Sequence, residues 1–215
     1  MLKLEDYFKS MVPYFPERVE KGAVLIERYS VSAEEAKMHN LRCDFKAGAR
    51  FERIEPGTYV RMRIGGAMMM SDTPYEKYTN SSFFLEARGR VLVVGLGLGF
   101  AISAVARKPE VESITIIERN KDVIDLVYGQ FPKPARLVNN IELVQSDVFE
   151  WEPPRGVKYD TIYADIWPGP CATNVKDMDL FKKKFQRCRS RVDGRLAWIG
   201  CWEEWRCRAS ARGEL

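Results

Sequence analysis

From Arg90 onward the apolar residues fall in short unbroken runs, separated by segments with helical spacing. Val91-Leu92-Val93-Val94 leads into Gly95-Leu96-Gly97-Leu98-Gly99. The runs at Ser113–Glu118, Ile141–Val144, Tyr159–Asp165 and Arg195–Gly200 repeat this texture. Phe100–Lys108, Asp122–Phe131 and Asp177–Arg191 read as helices among them. Runs without polar alternation mark strands buried on both faces, and their alternation with helices predicts a parallel sheet covered on both sides. The expectation is a doubly wound, mostly parallel α/β sheet in the order 3-2-1-4-5, with a shortened C-terminus. In such a sheet ligands bind outside the carboxyl ends of the strands.

The first part of the chain has a different rhythm. Residues 2–11 place Leu4, Phe8 and Met11 near one helical face, and Pro13 and Pro16 then break the pattern. Val24–Tyr29 reads as a strand, and Ser32 with Glu35 forms a capping-box signature opening a short helix towards Cys43. Thr58–Ile64 alternates with period two, Gly65-Gly66 is a hairpin-turn signal, and Ala67–Met70 returns as the partner strand. Met68-Met69-Met70 reads first as core filling at that hairpin. The expected division is a β-rich and helical element with a lid over residues 1–80, and a ligand-binding domain over 81–215.

Composition narrows the chemistry. With 46% hydrophobic and 30% charged residues, the chain can bury a core. It has no apolar stretch long enough for a membrane span, and its first residues lack the profile of a signal peptide. The single histidine, His39, excludes mechanisms that need two, including paired-histidine zinc and iron sites, and reads as a surface or packing residue. The cysteines, Cys43, Cys171, Cys188, Cys201 and Cys207, are odd in number and form no C-x-x-C pair, so reduced thiols and a cytoplasmic protein without a metal are expected. Residues 182–215 hold ten Lys/Arg against four Asp/Glu, which leaves the rest of the chain nearly neutral. Nucleic-acid contact is one reading of that segment, and a solvated helical face is the other.

The candidate site follows from the strand ends. A glycine loop between a strand and a helix lets backbone N–H groups approach a ligand. Its spacing is G-x-G-x-G, with Phe100 where a dinucleotide fingerprint needs a final glycine. Glu118 lies 23 residues after Gly95, near the interval at which an acid reaches a ribose in this kind of fold. Ser146-Asp147-Val148 can offer an acceptor to an adenine amino group, with Val148 or Phe149 against the ring. Asp165 ends the fourth run, where a carboxylate can orient or deprotonate a nucleophile, and Trp167 offers a flat wall or a cation–π face.

Together these residues resemble a Rossmann-like S-adenosylmethionine-dependent methyltransferase, most closely the spermidine synthase-like branch. The likeness runs from about residue 58 to 201 and is carried by Arg90–Gly99, Ile116–Asn120, Gln145–Val148, Tyr159–Asp165 and the segment Arg63–Asp72. The following Thr73-Pro74 completes an S-D-T-P stretch found in short bacterial and phage proteins of this type. The resemblance implies S-adenosyl-L-methionine as cofactor. It assigns Gly95, Leu96, Gly97 and Gly99 to the methionine part, Glu118 and Arg119 to the ribose, and Asp147 and Val148 to the adenine. It makes Asp165 the catalytic residue, and Asp72, Tyr75 and Trp167 the substrate contacts. Three departures count. Val93 stands where many methyltransferases carry an acid, Leu98 stands where aminopropyltransferases carry one, and the strand-four motif keeps Asp165 but loses its second acid. The expected activity is methyl transfer to an unidentified small-molecule acceptor. Aminopropyl transfer and a non-catalytic nucleoside-binding scaffold are the alternatives. Nucleic acid through 182–215 and a second copy of the chain complete the candidate partners.

Overall fold

The computed structural model describes residues 3–45, 52–192 and 194–214, with the backbone alone at Val192. The expected helix over residues 2–11 is a single turn, α1 (Leu4–Tyr7). It stops there because Phe8, Met11 and Phe15 all drop into the core. β1 (Arg18–Lys21) then pairs antiparallel with β2 (Val24–Val31) around Gly22, whose φ is +55°. α2 (Ala33–Phe45) opens on the expected capping box. The Ser32 amide donates to Glu35 Oε2 at 2.8 Å, and the Glu35 amide donates to Ser32 Oγ at 3.2 Å. His39 lies on the exposed side of this helix, 2.7 Å through Nε2 from the Glu52 carbonyl. β3 (Gly57–Ile64) and β4 (Ala67–Ser71) form the hairpin, with Gly65 and Gly66 at φ +58° and +82° supplying the left-handed turn. The four strands make an antiparallel sheet in the order β1-β2-β3-β4.

Asp72 follows β4 and is buried. Its carboxylate accepts the amides of Met11 and Val60, both at 2.7 Å, and the Ser10 hydroxyl at 3.3 Å. It thereby ties the N-terminal segment to β3. Asp72→Ala orphans two buried amides, so urea unfolding should show a loss of about 2–4 kcal/mol. A loss of less than about 1 kcal/mol would contradict this role.

Two short helices, α3 (Pro74–Thr79) and α4 (Ser81–Glu86), lead into the second sheet. Its elements are β5 (Gly89–Val94), α5 (Phe100–Ala106), β6 (Val111–Glu118), α6 (Lys121–Val127), β7 (Ile141–Gln145), β8 (Thr161–Ala164) and α7 (Asn174–Phe185). A two-stranded hairpin, β9 (Arg191–Val192) and β10 (Arg195–Leu196), precedes β11 (Trp198–Cys201) and α8 (Glu204–Ala211). The five long strands are all parallel, in the order β7-β6-β5-β8-β11.

Period two along β5 divides the core. Val91 and Val93 join α5, Phe83 and Phe84 of α4, and the inner face of the antiparallel sheet (Val24, Ile26, Val60, Met62). Leu92 and Val94 join Met178, Phe181 and Phe185 of α7. Each fully buried phenylalanine contributes about 1.5–3 kcal/mol relative to exposure.

Three elements of this sheet differ most from the sequence pattern. The fifth run splits, because Arg195-Leu196 folds back on β9 across Gly194, at φ +77°, and only Trp198 onward pairs with β8. The second helix starts at Lys121, where the Asn120 side chain accepts the Asp122 amide at 2.9 Å, and ends at Val127, so that Phe131 can turn under the glycine loop. The third helix starts at Asn174 and gives way at Gln186 to a 3₁₀ turn.

Candidate functional site

The carboxyl ends of β5, β6, β7 and β8 converge on one cavity of about 440 Å³. This is the size range of small-molecule sites. The loop after β5 bends at once. Gly95 and Gly97 have φ of +97° and +50°, and the Gly95 amide still bonds the Ile117 carbonyl of β6 at 2.8 Å. Glu118, at the tip of β6, organises the loop. Its Oε2 accepts the Leu96 amide at 2.9 Å, and its Oε1 accepts the Asn120 amide at 2.8 Å. Each oxygen keeps a further lone pair for a ligand hydroxyl. Beyond β7, Ser146, Asp147, Val148 and Phe149 line the same wall. Asp147 Oδ1 accepts the Phe149 amide at 2.8 Å, and the exposed Arg119 guanidinium lies 3.9 Å from Asp147 Oδ2.

Across β5 the lining changes character. Asp165 follows β8, its amide held by the Val94 carbonyl at 2.8 Å, and Trp167 is buried two residues on. Glu76 and Asn80 of the α3–α4 segment line the same side, with Phe83, Tyr163 and Trp202. Phe83 and Tyr163 stack at 4.3 Å, and the Tyr163 hydroxyl donates to Asn80 Oδ1 at 3.1 Å. Burial pushes the Asp165 carboxyl up to about 7, and the nearby Glu203 charge adds to this. Burial also drives the Glu76 carboxyl well above its ordinary value, with help from Asp165 and Glu203 and against the Ser71 amide. Glu203 is itself a buried acid with a left-handed backbone, φ +50°. It bonds Arg206 at 2.6 Å and accepts the Tyr75 hydroxyl at 3.0 Å. A non-glycine residue in this conformation is strained, and it sits directly behind the acid pair.

No family model matches the chain, and no curated protein matches it. Among solved structures it is similar to the S-adenosylhomocysteine-bound methyltransferase PaMTH1 of Podospora anserina. Identity is 13%, 80% of this chain and 63% of that one are covered, and the TM-score is 0.44. It is also similar to the CcbJ methyltransferase of Streptomyces caelestis, at 17% identity, covering 57% and 47% of the two chains, TM-score 0.40. The N-methyltransferase NodS of Bradyrhizobium japonicum matches at 14% identity, covering 52% and 62%, TM-score 0.37. The chain thus spans less than two thirds of the length of each of these proteins. Scores and identities this low assign it neither a family nor a substrate.

The structure brings Gly95, Leu96, Gly97, Glu118, Arg119, Asp147, Val148, Asp165 and Trp167 together around the cavity. Gly99, Asp72 and Tyr75 do not line that cavity. Gly99 packs under Phe131 and precedes α5, the Asp72 carboxylate is consumed by backbone amides, and the Tyr75 hydroxyl is turned to Glu203 and Arg206. Glu76, Asn80 and Met70 are the additions. Pro74 at the start of α3 was a usable signal, because a helix begun there sets Glu76 and Asn80 on one face.

Among the described residues, six of the ten basic side chains of 182–215 form ion pairs, and only two of their acidic partners, Glu152 and Asp179, lie outside the segment, so it stays net positive. Lys182 pairs with Glu204, Lys184 and Arg187 with Glu152, Arg206 with Glu203, Arg208 with Asp179 and Glu204, and Arg212 with Glu214. Among the described residues, no cluster of three or more His, Cys, Asp or Glu is placed to hold a metal ion. No helix there is long and apolar enough to cross a membrane.

Proposed function

We propose that the chain binds S-adenosylmethionine in this cavity and directs its methyl group to a small acceptor carrying an amine. One observation carries the reading. A single cavity has carboxylate acceptors with lone pairs left for a nucleoside, Glu118 and Asp147, on one side of β5, and a pair of poorly solvated carboxylates among aromatic rings, Asp165 and Glu76, on the other. The residues fit the cofactor. Gly95, Leu96 and Gly97 line the cavity and would flank the methionine part, Glu118 would take the ribose hydroxyls, Asp147 the adenine amine, and Val148 with Phe149 the ring faces. When bound, the cofactor supplies an electrophilic methyl group on a positively charged sulfur.

The chain's own contribution is positioning and proton handling. Asp165 and Glu76 favour a cation between them, because no basic side chain lines that side of the cavity among the described residues. The buried rings of Phe83, Tyr163, Trp167 and Trp202 line that side and exclude water there. Asp165, with its carboxyl near neutrality, can take the acceptor's proton and release it afterwards.

Glu76 also favours a second reading, aminopropyl transfer, since it supplies a second carboxylate that the strand-four motif lacks. Incubation with a panel of aliphatic amines and either the carboxylated or the decarboxylated cofactor separates the two. Methyl transfer requires a product heavier by one methylene, formed with the carboxylated cofactor. An aminopropylated product from the decarboxylated cofactor would replace the first reading by the second.

A further inference from the structure

The three loop glycines all have positive φ, but the space each one frees is used differently. A Cβ on Gly95 would meet the Asp165 carbonyl oxygen at 2.2 Å, and one on Gly99 would meet the Phe131 side chain at 2.5 Å. Those neighbours are fixed parts of the fold. A Cβ on Gly97 would instead meet the end of a flexible side chain, Met70 Sδ, at 2.0 Å. The same sulfur accepts the Leu98 amide at 2.8 Å. Met70 thus occupies both the close-approach space of the loop and one of its N–H groups.

β4 is shaped to deliver it. Met62 of β3 faces Met70, whereas the next residue, Arg63, faces Met68, so Met69 is the extra residue of a bulge. Met69 and Met70 both reach the cavity, while Met68 stays about half exposed. A thioether is a weak acceptor on a chain with three rotatable bonds, so it gives way readily to a stronger acceptor. A carboxylate bonds a backbone N–H about twice as strongly as a neutral group does.

We propose that Met70 is a latch on the glycine loop, holding the Leu98 amide and the Gly97 space until the carboxylate-bearing tail of a nucleoside ligand displaces it. This rests on the cavity being the cofactor site. It makes Met70 a residue that discriminates between ligands by their tails, distinct from the groups that hold the nucleoside.

The test is calorimetric titration of the wild-type chain, Met70→Ala and Met70→Leu with S-adenosylhomocysteine, which has the tail, and with 5′-methylthioadenosine, which lacks it. Met70→Leu keeps the bulk and removes the acceptor. Both substitutions should tighten S-adenosylhomocysteine by about three- to tenfold, the value of one net hydrogen bond, and leave 5′-methylthioadenosine unchanged. Equal changes for both ligands, no change for either, or weaker S-adenosylhomocysteine binding would make Met70 a fixed wall and overturn the latch. If neither ligand binds the folded wild-type chain, the cofactor reading fails. The latch rests on that reading and falls with it, whereas the latch alone fails where both ligands bind and the Met70 variants change neither or both alike.

Discussion

Asp165→Asn is expected to lower methyl transfer by about 10²- to 10⁴-fold while leaving affinity for S-adenosylhomocysteine nearly unchanged. The residue follows β8 on the far side of β5 from Glu118 and Asp147, which under the proposed function is the acceptor's side of the cavity. Its carboxyl is held up to about 7 by burial and by the Glu203 charge, so the deprotonated, proton-accepting form grows as pH rises through that value. The wild-type rate should therefore climb between about pH 6 and pH 8, and the Asn variant should lose that limb. Stability should move the opposite way. The folded chain binds the Asp165 proton more tightly than the unfolded chain, in which the group titrates near 3.8. The favourable contribution is complete below that value and is lost as pH rises towards 7. At pH 8 the wild type carries a poorly solvated charge that the Asn variant lacks. Asp165→Asn should then be more stable by about 2–4 kcal/mol, read as a higher melting temperature. A variant that is equally active, or less stable at pH 8, would remove Asp165 from the role of base.

Glu118→Ala should weaken binding of S-adenosylhomocysteine by about 10- to 100-fold. Two losses combine. The ribose hydroxyls lose a charged acceptor, and the Leu96 and Asn120 amides lose the partner that shapes the loop. Glu118→Gln separates them, because a side-chain amide oxygen can still hold one backbone N–H and fills the same volume. Its loss should fall between wild type and Ala. Titration calorimetry and a thermal melt on each variant check this. Undiminished affinity in Glu118→Ala would place the ribose elsewhere.

The parallel sheet was legible because its central strands are buried on both faces. Val91–Val94 and Thr161–Ala164 needed no alternation to be read as strands, whereas Ile141–Val144 lies at the edge with Glu142 exposed. β1 was not legible, since Arg18-Val19-Glu20-Lys21 is a short, charged edge strand whose pairing is set by a glycine turn and not by burial. The same logic separates the two sides of the cavity. Glu118 and Asp147 stand at strand tips, where a fixed interval from the glycine loop announces them. Glu76 and Met70 arrive from the antiparallel sheet and its following helix, and their proximity to Asp165 and Gly97 exists only after the two sheets pack. The surroundings of Asp72 were hidden for a related reason. An acid in a lid-like segment looks available, but its use by the Met11 amide depends on a contact 61 residues away in sequence, and by the Val60 amide on one 12 away. In the basic C-terminal run the pairing of Lys184 and Arg187 with Glu152, and of Arg208 with Asp179, likewise exists only after folding.

Backbone amide shifts recorded while S-adenosylhomocysteine is titrated into the intact chain test the central claim most directly. Saturable shifts should appear together at Gly97, Glu118, Asp147 and Val148, with a dissociation constant below about 1 mM. A well-dispersed, folded spectrum showing no saturable change at those four residues at millimolar ligand would contradict a cofactor site in this cavity.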